Sequence, residues 1–193
     1  MAKKKYEFKP DKLASGIISK LYVTRKVRLS ILRWVLYALV LLVVSLLQDV
    51  ILCHLDIFSA TTDLVPCAIL LISMLLGAER CSLFALIGSA LYQFSGTGPG
   101  YQSIAIITAL CIFGAMFRQS YLRRGFFSCL FCTAICVMVY ELFIFGFALL
   151  LGQTHFWRIY TVLITGVLTL ISVPVLYPIT SAIDKIGGDT WKD

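Results

Sequence analysis

The chain has 193 residues, 60% of them hydrophobic and 14% charged, with a formal net charge of +7. A soluble domain is about 45–50% apolar and about 25% charged, and one of this size leaves about a third of its unfolded-chain surface exposed. That excludes a soluble enzyme and a disordered chain, while an odd count of seven cysteines argues against a disulfide-stapled secreted fold. Long apolar runs without alternation argue against an outer-membrane barrel. Helices of roughly 20 residues each are needed to cross a bilayer. The expected class is therefore all-α, a polytopic membrane bundle of about six transmembrane helices.

The head, residues 1–28, comes first. Leu13, Ile17, Ile18, Leu21 and Tyr22 recur at helical spacing, with Lys12, Lys20, Arg25 and Lys26 filling much of the rest. This predicts a basic amphipathic helix lying on an anionic cytoplasmic leaflet, with a solvated basic tail that only enforces topology as the alternative. Its polar stretch is too long for a cleaved signal peptide, and no small-residue cleavage site follows the apolar run. It offers no folded module to read nucleic acid.

The transmembrane domain is expected over 29–183. The first span runs from Leu29 through Trp34 to about Leu47, with Leu55 as its outer limit. The second opens at Leu64 and fades at Gly77, the third covers Cys81 to Phe94, and the fourth Ser103 to Phe117. The fifth is long, from Phe126 to Leu151; the sixth runs from Ile159 to Ile183, followed by a short tail, 184–193. Spans two to four are short and reach crossing length only with polar ends, which suits helices packed on neighbours in a compact bundle.

Basic residues set the orientation. Ten of the 17 Lys and Arg lie between Lys3 and Arg33. Arg80 follows span two, Arg118, Arg123 and Arg124 follow span four, and Lys185 and Lys192 follow span six. With an even number of crossings these all share one side; the other has only Arg158, together with Asp49, Asp56 and Asp63. Both termini are expected in the cytoplasm.

Glu141 is the one acid well inside a predicted span, in VYELFIF. An ionised group at that depth costs about 2.5–3.5 kcal/mol on insertion scales, so it should face protein. The expectation is a polar contact across the bundle, with a proton or ion site as the functional alternative. Cys129, Cys132 and Cys136 fall within about 60° of one another on a helix. Their setting is apolar and no fourth cysteine is near in sequence, so they read as small buried side chains rather than a cluster site. His54 and His155 lie near outer span ends without ligand-spaced partners. No phosphate loop, dinucleotide fingerprint or nucleophile motif is present. No catalytic, cofactor-binding or metal site is expected.

The stretch SGTGPG, residues 95 to 100, reads as a tight turn. Small residues at four-residue spacing, Ala85 with Ser89, Ala105 with Ala109 and Cys111 with Ala115, predict a close hairpin of spans three and four. Pro174 and Pro178 should kink span six near its cytoplasmic end.

Taken in order, these features resemble the MreD family. The first span ends in LLQDVIL. TDLVPCAILLISMLLG follows, then GAERCSLFALIGSALYQFSGTGPG, YQSIAIITALCIFGAMFRQSYLRRG and finally SVPVLYPI. The likeness covers about residues 31 to 183, with Gln93 standing where members often carry aspartate. The resemblance implies a non-enzymatic scaffold in the bacterial cytoplasmic (inner) membrane, part of the elongasome that builds peptidoglycan and maintains cell shape. Its implied partners are an MreC-like protein, membrane proteins of the elongation complex and, indirectly, an MreB-like filament. The implied fold is similar to the substrate-binding component of energy-coupling vitamin transporters.

Such a transporter subunit is the leading alternative. WVLYALVLLVVS lacks the Ala-x-x-x-Ala pair those proteins use for docking, which counts against it. A membrane enzyme at the outer face, using Asp49, His54, Asp56, Asp63 and His155, is a further alternative. The interaction or structural candidates are Asp63 and Pro66 at the opening of span two, Gly77 and Glu79 at its close, Gly88, Gly98, Pro99 and Gly100 in the hairpin, Glu141 in span five, and Pro174 and Pro178 in span six.

Overall fold

The computed structural model describes residues 25–50, 62–96, 98–121 and 125–186, and in these the chain is helical with no strand. Seven α-helices follow one another: α1 (Arg25–Val50), α2 (Leu64–Leu76), α3 (Ala78–Phe94), α4 (Gln102–Tyr121), α5 (Phe126–Leu150), α6 (Ile159–Ile171) and α7 (Val173–Ile186). A 3-10 turn, Phe156–Arg158, leads into α6. The amphipathic head lies outside the described residues except for its last four, which already belong to α1.

Among the described residues, three helices are long and apolar enough to cross a bilayer: α1 from Arg28, α4 and α5. The 3-10 turn with α6 and α7 makes a fourth if counted as one span bent by 44°. The sixth predicted span is thus two helices, broken at Ser172. Pro174 has no N–H to give back to the preceding turn and its ring crowds the carbonyl four residues earlier. Ser172 takes over locally, its carbonyl accepting from the N–H groups of Val175 and Leu176. Pro178 sits inside α7, and both prolines are exposed.

The 13 residues of α2 reach only about 20 Å at 1.5 Å per residue, against about 30 Å of hydrocarbon. Alone in lipid such a helix would leave end groups in hydrocarbon. The fold resolves this by placing α2 at the centre. Every residue from Val65 to Leu76 is buried, and α2 packs against all six other helices. Its ends are satisfied by neighbouring side chains, as a helix terminus inside a bundle requires. At the start, the Val65 N–H donates to Gln48 Oε1 at 2.9 Å and the Asp63 N–H to Thr169 Oγ1 at 3.2 Å. At the finish, Arg118 Nη1 donates to the Met74 carbonyl at 2.5 Å.

The outer helices show the reverse of a soluble pattern. On α1 the buried residues are Arg33, Tyr37, Leu41, Val44 and Gln48, one stripe at spacings of four, four, three and four. Its outward face is Val35, Leu39, Leu42, Val43, Leu46 and Val50, all exposed. On α4, Ser103, Ile107, Cys111, Gly114, Ala115 and Arg118 face inward while Phe113, Met116 and Phe117 face out. Polar groups inside and apolar groups outside is the arrangement of a bundle whose solvent is lipid. Cys129, Cys132 and Cys136 are buried on one face of α5, as expected of small apolar side chains, and are free thiols.

Helices α3 and α4 form the most extensive pair in the bundle, as the hairpin reading expects. Ala85, Ser89, Cys111 and Ala115 are buried. Ala105 and Ala109 are exposed and take no part in the contact, so that pair is corrected. The turn 95–100 uses glycine where backbone angles demand it: Gly96 and Gly100 have φ of 82° and 131°.

Candidate functional site

Two sets of polar side chains lie inside the bundle, one at each end of α2. The first contains Arg33, Asp184 and Arg118. Arg33 is 2% exposed and forms an ion pair with Asp184, joining the start of α1 to the end of α7. Arg33 also stands over the Tyr37 ring, 5.6 Å from its centroid. This end of the molecule is closed by structural contacts: each guanidinium has a fixed partner, and Arg118 caps α2. Sequence reasoning counted Arg33 and Arg118 only as topology signals. The available clue was position, since both lie on the stripe that their own helix buries.

The second set gathers at the opening of α2. Gln48 comes from α1, Asp63 from the residue before α2, Tyr92 from α3, Tyr140 and Glu141 from α5, and Thr169 from α6. Tyr92 lies by Gln48 and by Tyr140, whose hydroxyl makes no hydrogen bond, and Asp63 and Glu141 lie within electrostatic reach of one another and of both tyrosines. Gln48, Tyr92, Tyr140, Glu141 and Thr169 are buried, and Asp63 is half-buried. Glu141 Oε1 has no hydrogen-bond partner. Among the described residues no lysine, arginine or histidine pairs with either carboxyl.

Local structure explains how these groups meet. Glu141 leans on α6 at Gly166: a Cβ there would stand 4.0 Å from Glu141 Cγ and 2.6 Å from Met138 Sδ. Thr169 lies three residues on, on the same side of α6. Its hydroxyl donates to the Thr165 carbonyl at 2.7 Å and accepts from the Asp63 N–H. Gly166 thus lets α5 come close enough for Glu141 and the α2 opening to share one crevice. The sequence reading had Glu141 as an isolated charge. The structure gives it a polar neighbourhood drawn from four other elements.

The remaining sequence candidates are spread around the fold. Pro66 is buried in the first turn of α2, where a missing N–H costs little. Gly77 separates α2 from α3 with a φ of 82°. Glu79 lies in the first turn of α3, and its side chain is outside the described residues. Gly88 brings α3 onto α2: a Cβ there would meet Ile69 Cγ1 at 3.2 Å. A Cβ at Gly98 would fall 2.4 Å from Gln93 Oε1, whose other neighbour is the Ser103 hydroxyl at 3.3 Å. Pro99 is exposed in the same turn. The glycines and prolines among them set backbone geometry and do not converge. Of the outer-face set considered for an enzyme, Asp63 joins the crevice, Asp49 is half-buried near the end of α1 with its Oδ1 buried and without a hydrogen-bond partner, His155 is exposed, and His54 and Asp56 lie outside the described residues. No group of three metal-ligating side chains occurs among the described residues.

The chain matches no family model, no curated protein and no solved structure.

Proposed function

We propose that this chain is a non-enzymatic scaffold of a bacterial inner membrane, an MreD-like member of the machinery that elongates the peptidoglycan wall. The observation that carries this reading is the surface. Outside the buried polar sets, the described residues offer a partner little except apolar helix: Leu39 and Leu46 on α1, Leu86 on α3, Phe113 on α4, Phe131 and Phe143 on α5, Val167 and Val175 on α6 and α7. The connections between described helices are short, with no room for a catalytic domain. A protein built this way works by helix association in the bilayer, where packing and polar contacts decide which helices pair.

Six crossings with both ends in the cytoplasm belong to the same proposal. The ion pair between Arg33 and Asp184 supports it, because it holds the start of α1 and the end of α7 at one end of the bundle. The excess of Lys and Arg in the predicted inner segments supports that end as the cytoplasmic one.

The transporter-subunit reading gains from the crevice at the α2 opening, which places several polar groups together. Purification from native membranes in a mild detergent, with identification of the proteins that accompany the chain, separates the two. An MreC-like protein and wall-synthesis enzymes support the scaffold. A pair of ATPases supports the transporter subunit and refutes the scaffold.

A further inference from the structure

The crevice at the opening of α2 holds two carboxyls and no basic partner among the described residues. Glu141 is 7% exposed, its Oε1 lacks any hydrogen bond, and the side chain lies against α6 beside the point where Thr169 holds the Asp63 backbone. The two buried arginines are engaged at the other end of α2, with Asp184 and with the Met74 carbonyl. The surrounding groups are hard oxygen donors and acceptors: the Gln48 carboxamide oxygen, the Tyr92 and Tyr140 phenols and the Thr169 hydroxyl. The one thiol close by, Cys67 on α2, faces the Thr169 carbonyl at 4.0 Å.

Two neighbouring carboxylates in a low-dielectric interior cannot both stay ionised without a counter-charge. No resident cation from the described part of the chain supplies it. These surroundings, oxygen apart from the Cys67 thiol, select hard cations over zinc or copper, and with Gln48 and Thr169 already accepting from backbone N–H groups they fall short of the roughly six to eight oxygens that calcium takes.

We propose that Asp63 and Glu141 form a binding site for one small monovalent cation, a proton or a sodium ion, at the buried opening of α2. The cation bridges α2 to α5 through the two carboxyls, so occupancy stabilises the seating of the central helix. The titratable groups facing the pair are Tyr92 from α3, Tyr140 from α5 and Cys67 from α2. All three are neutral when protonated, so the carboxyls dominate the response around neutral pH. The site stands independently of the scaffold reading.

The test is thermal unfolding of the full chain in detergent, across a pH series, in choline chloride and in sodium chloride of equal ionic strength. Removing the shared proton leaves like charges facing each other in the folded state. The native state therefore binds more protons than the unfolded one, and stability falls as pH rises. In choline chloride the wild-type midpoint is expected to drop by at least about 3 °C on the alkaline side. Recovery in sodium chloride identifies sodium as the occupant, and no recovery identifies the proton. Glu141→Gln and Asp63→Asn should each flatten the response. A wild-type midpoint indifferent to pH and to sodium, or an unchanged response in Glu141→Gln, overturns the site. If Glu141→Gln does not fold, carbodiimide labelling of the wild type provides the second reading. Labelling at Glu141 should slow with rising pH or with sodium, and absent or condition-independent labelling overturns the proposal.

Discussion

Arg33 on α1 and Asp184 on α7 are 151 residues apart in sequence and form an ion pair at the end of the bundle where α2 finishes. Arg33 is almost wholly buried while Asp184 keeps 28% exposure, so the contact is partly screened. Removing one partner of a fully buried pair costs about 3–5 kcal/mol. For this half-open one, Arg33→Leu should cost about 2 kcal/mol, read as a lowered unfolding midpoint in detergent. Arg33→Leu with Asp184→Leu should be less destabilised than the sum of the two single changes.

Arg118 makes a second, separable prediction. Its guanidinium caps a carbonyl at the buried end of α2. Arg118→Leu keeps the helix apolar and leaves the Met74 carbonyl unpaired, at a cost of about 1–3 kcal/mol. Gln48→Leu should cost about the same at the other end, where the Val65 N–H loses its acceptor. Scanning calorimetry or a fluorescence melt of each variant checks both.

Close approach of helices can be read from the glycines. A Cβ at Gly114 would meet Met74 Cε at 2.1 Å and Cys136 Sγ at 3.0 Å, whereas one at Gly146 would meet nothing within 4 Å. Gly114→Val should therefore destabilise by about 1–3 kcal/mol through overpacking. Gly146→Ala should be neutral or slightly stabilising, by helix propensity alone. Equal melts for the two variants would contradict the packing of α4 against α2 and α5.

The helices themselves were legible in the sequence. Leu64 to Gly77 and Phe126 to Leu151 anticipate α2 and α5 to within a residue at each end, because apolar runs ended by Gly or polar clusters define helix limits in any solvent. Which of them sits at the centre was not legible. Leu70 in the core and Leu39 on the outside belong to equally apolar stretches, since lipid and protein interior favour the same side chains. The informative signal lay in the rare polar residues. Arg33, Tyr37 and Gln48 share one face of α1, and Ser103 and Arg118 share one face of α4, which marks the inward side. The crevice escaped for another reason: residues 48, 63, 92, 141 and 169 have no common spacing and meet only after the bundle closes. The break at Ser172 escaped too, since Pro174 signals a kink without giving its size.

The central claim is that the outward helix faces are the working surface, and photo-cross-linking in living cells tests it most directly. A photoreactive residue placed in turn at Leu39, Leu86, Phe113, Phe131 and Val175 should capture membrane proteins of the wall-elongation machinery from at least one face. The same residue at the buried Leu70 should capture none. Cross-links to lipid alone from every outward position, or the same partner from Leu70 as from the surface, would contradict the account.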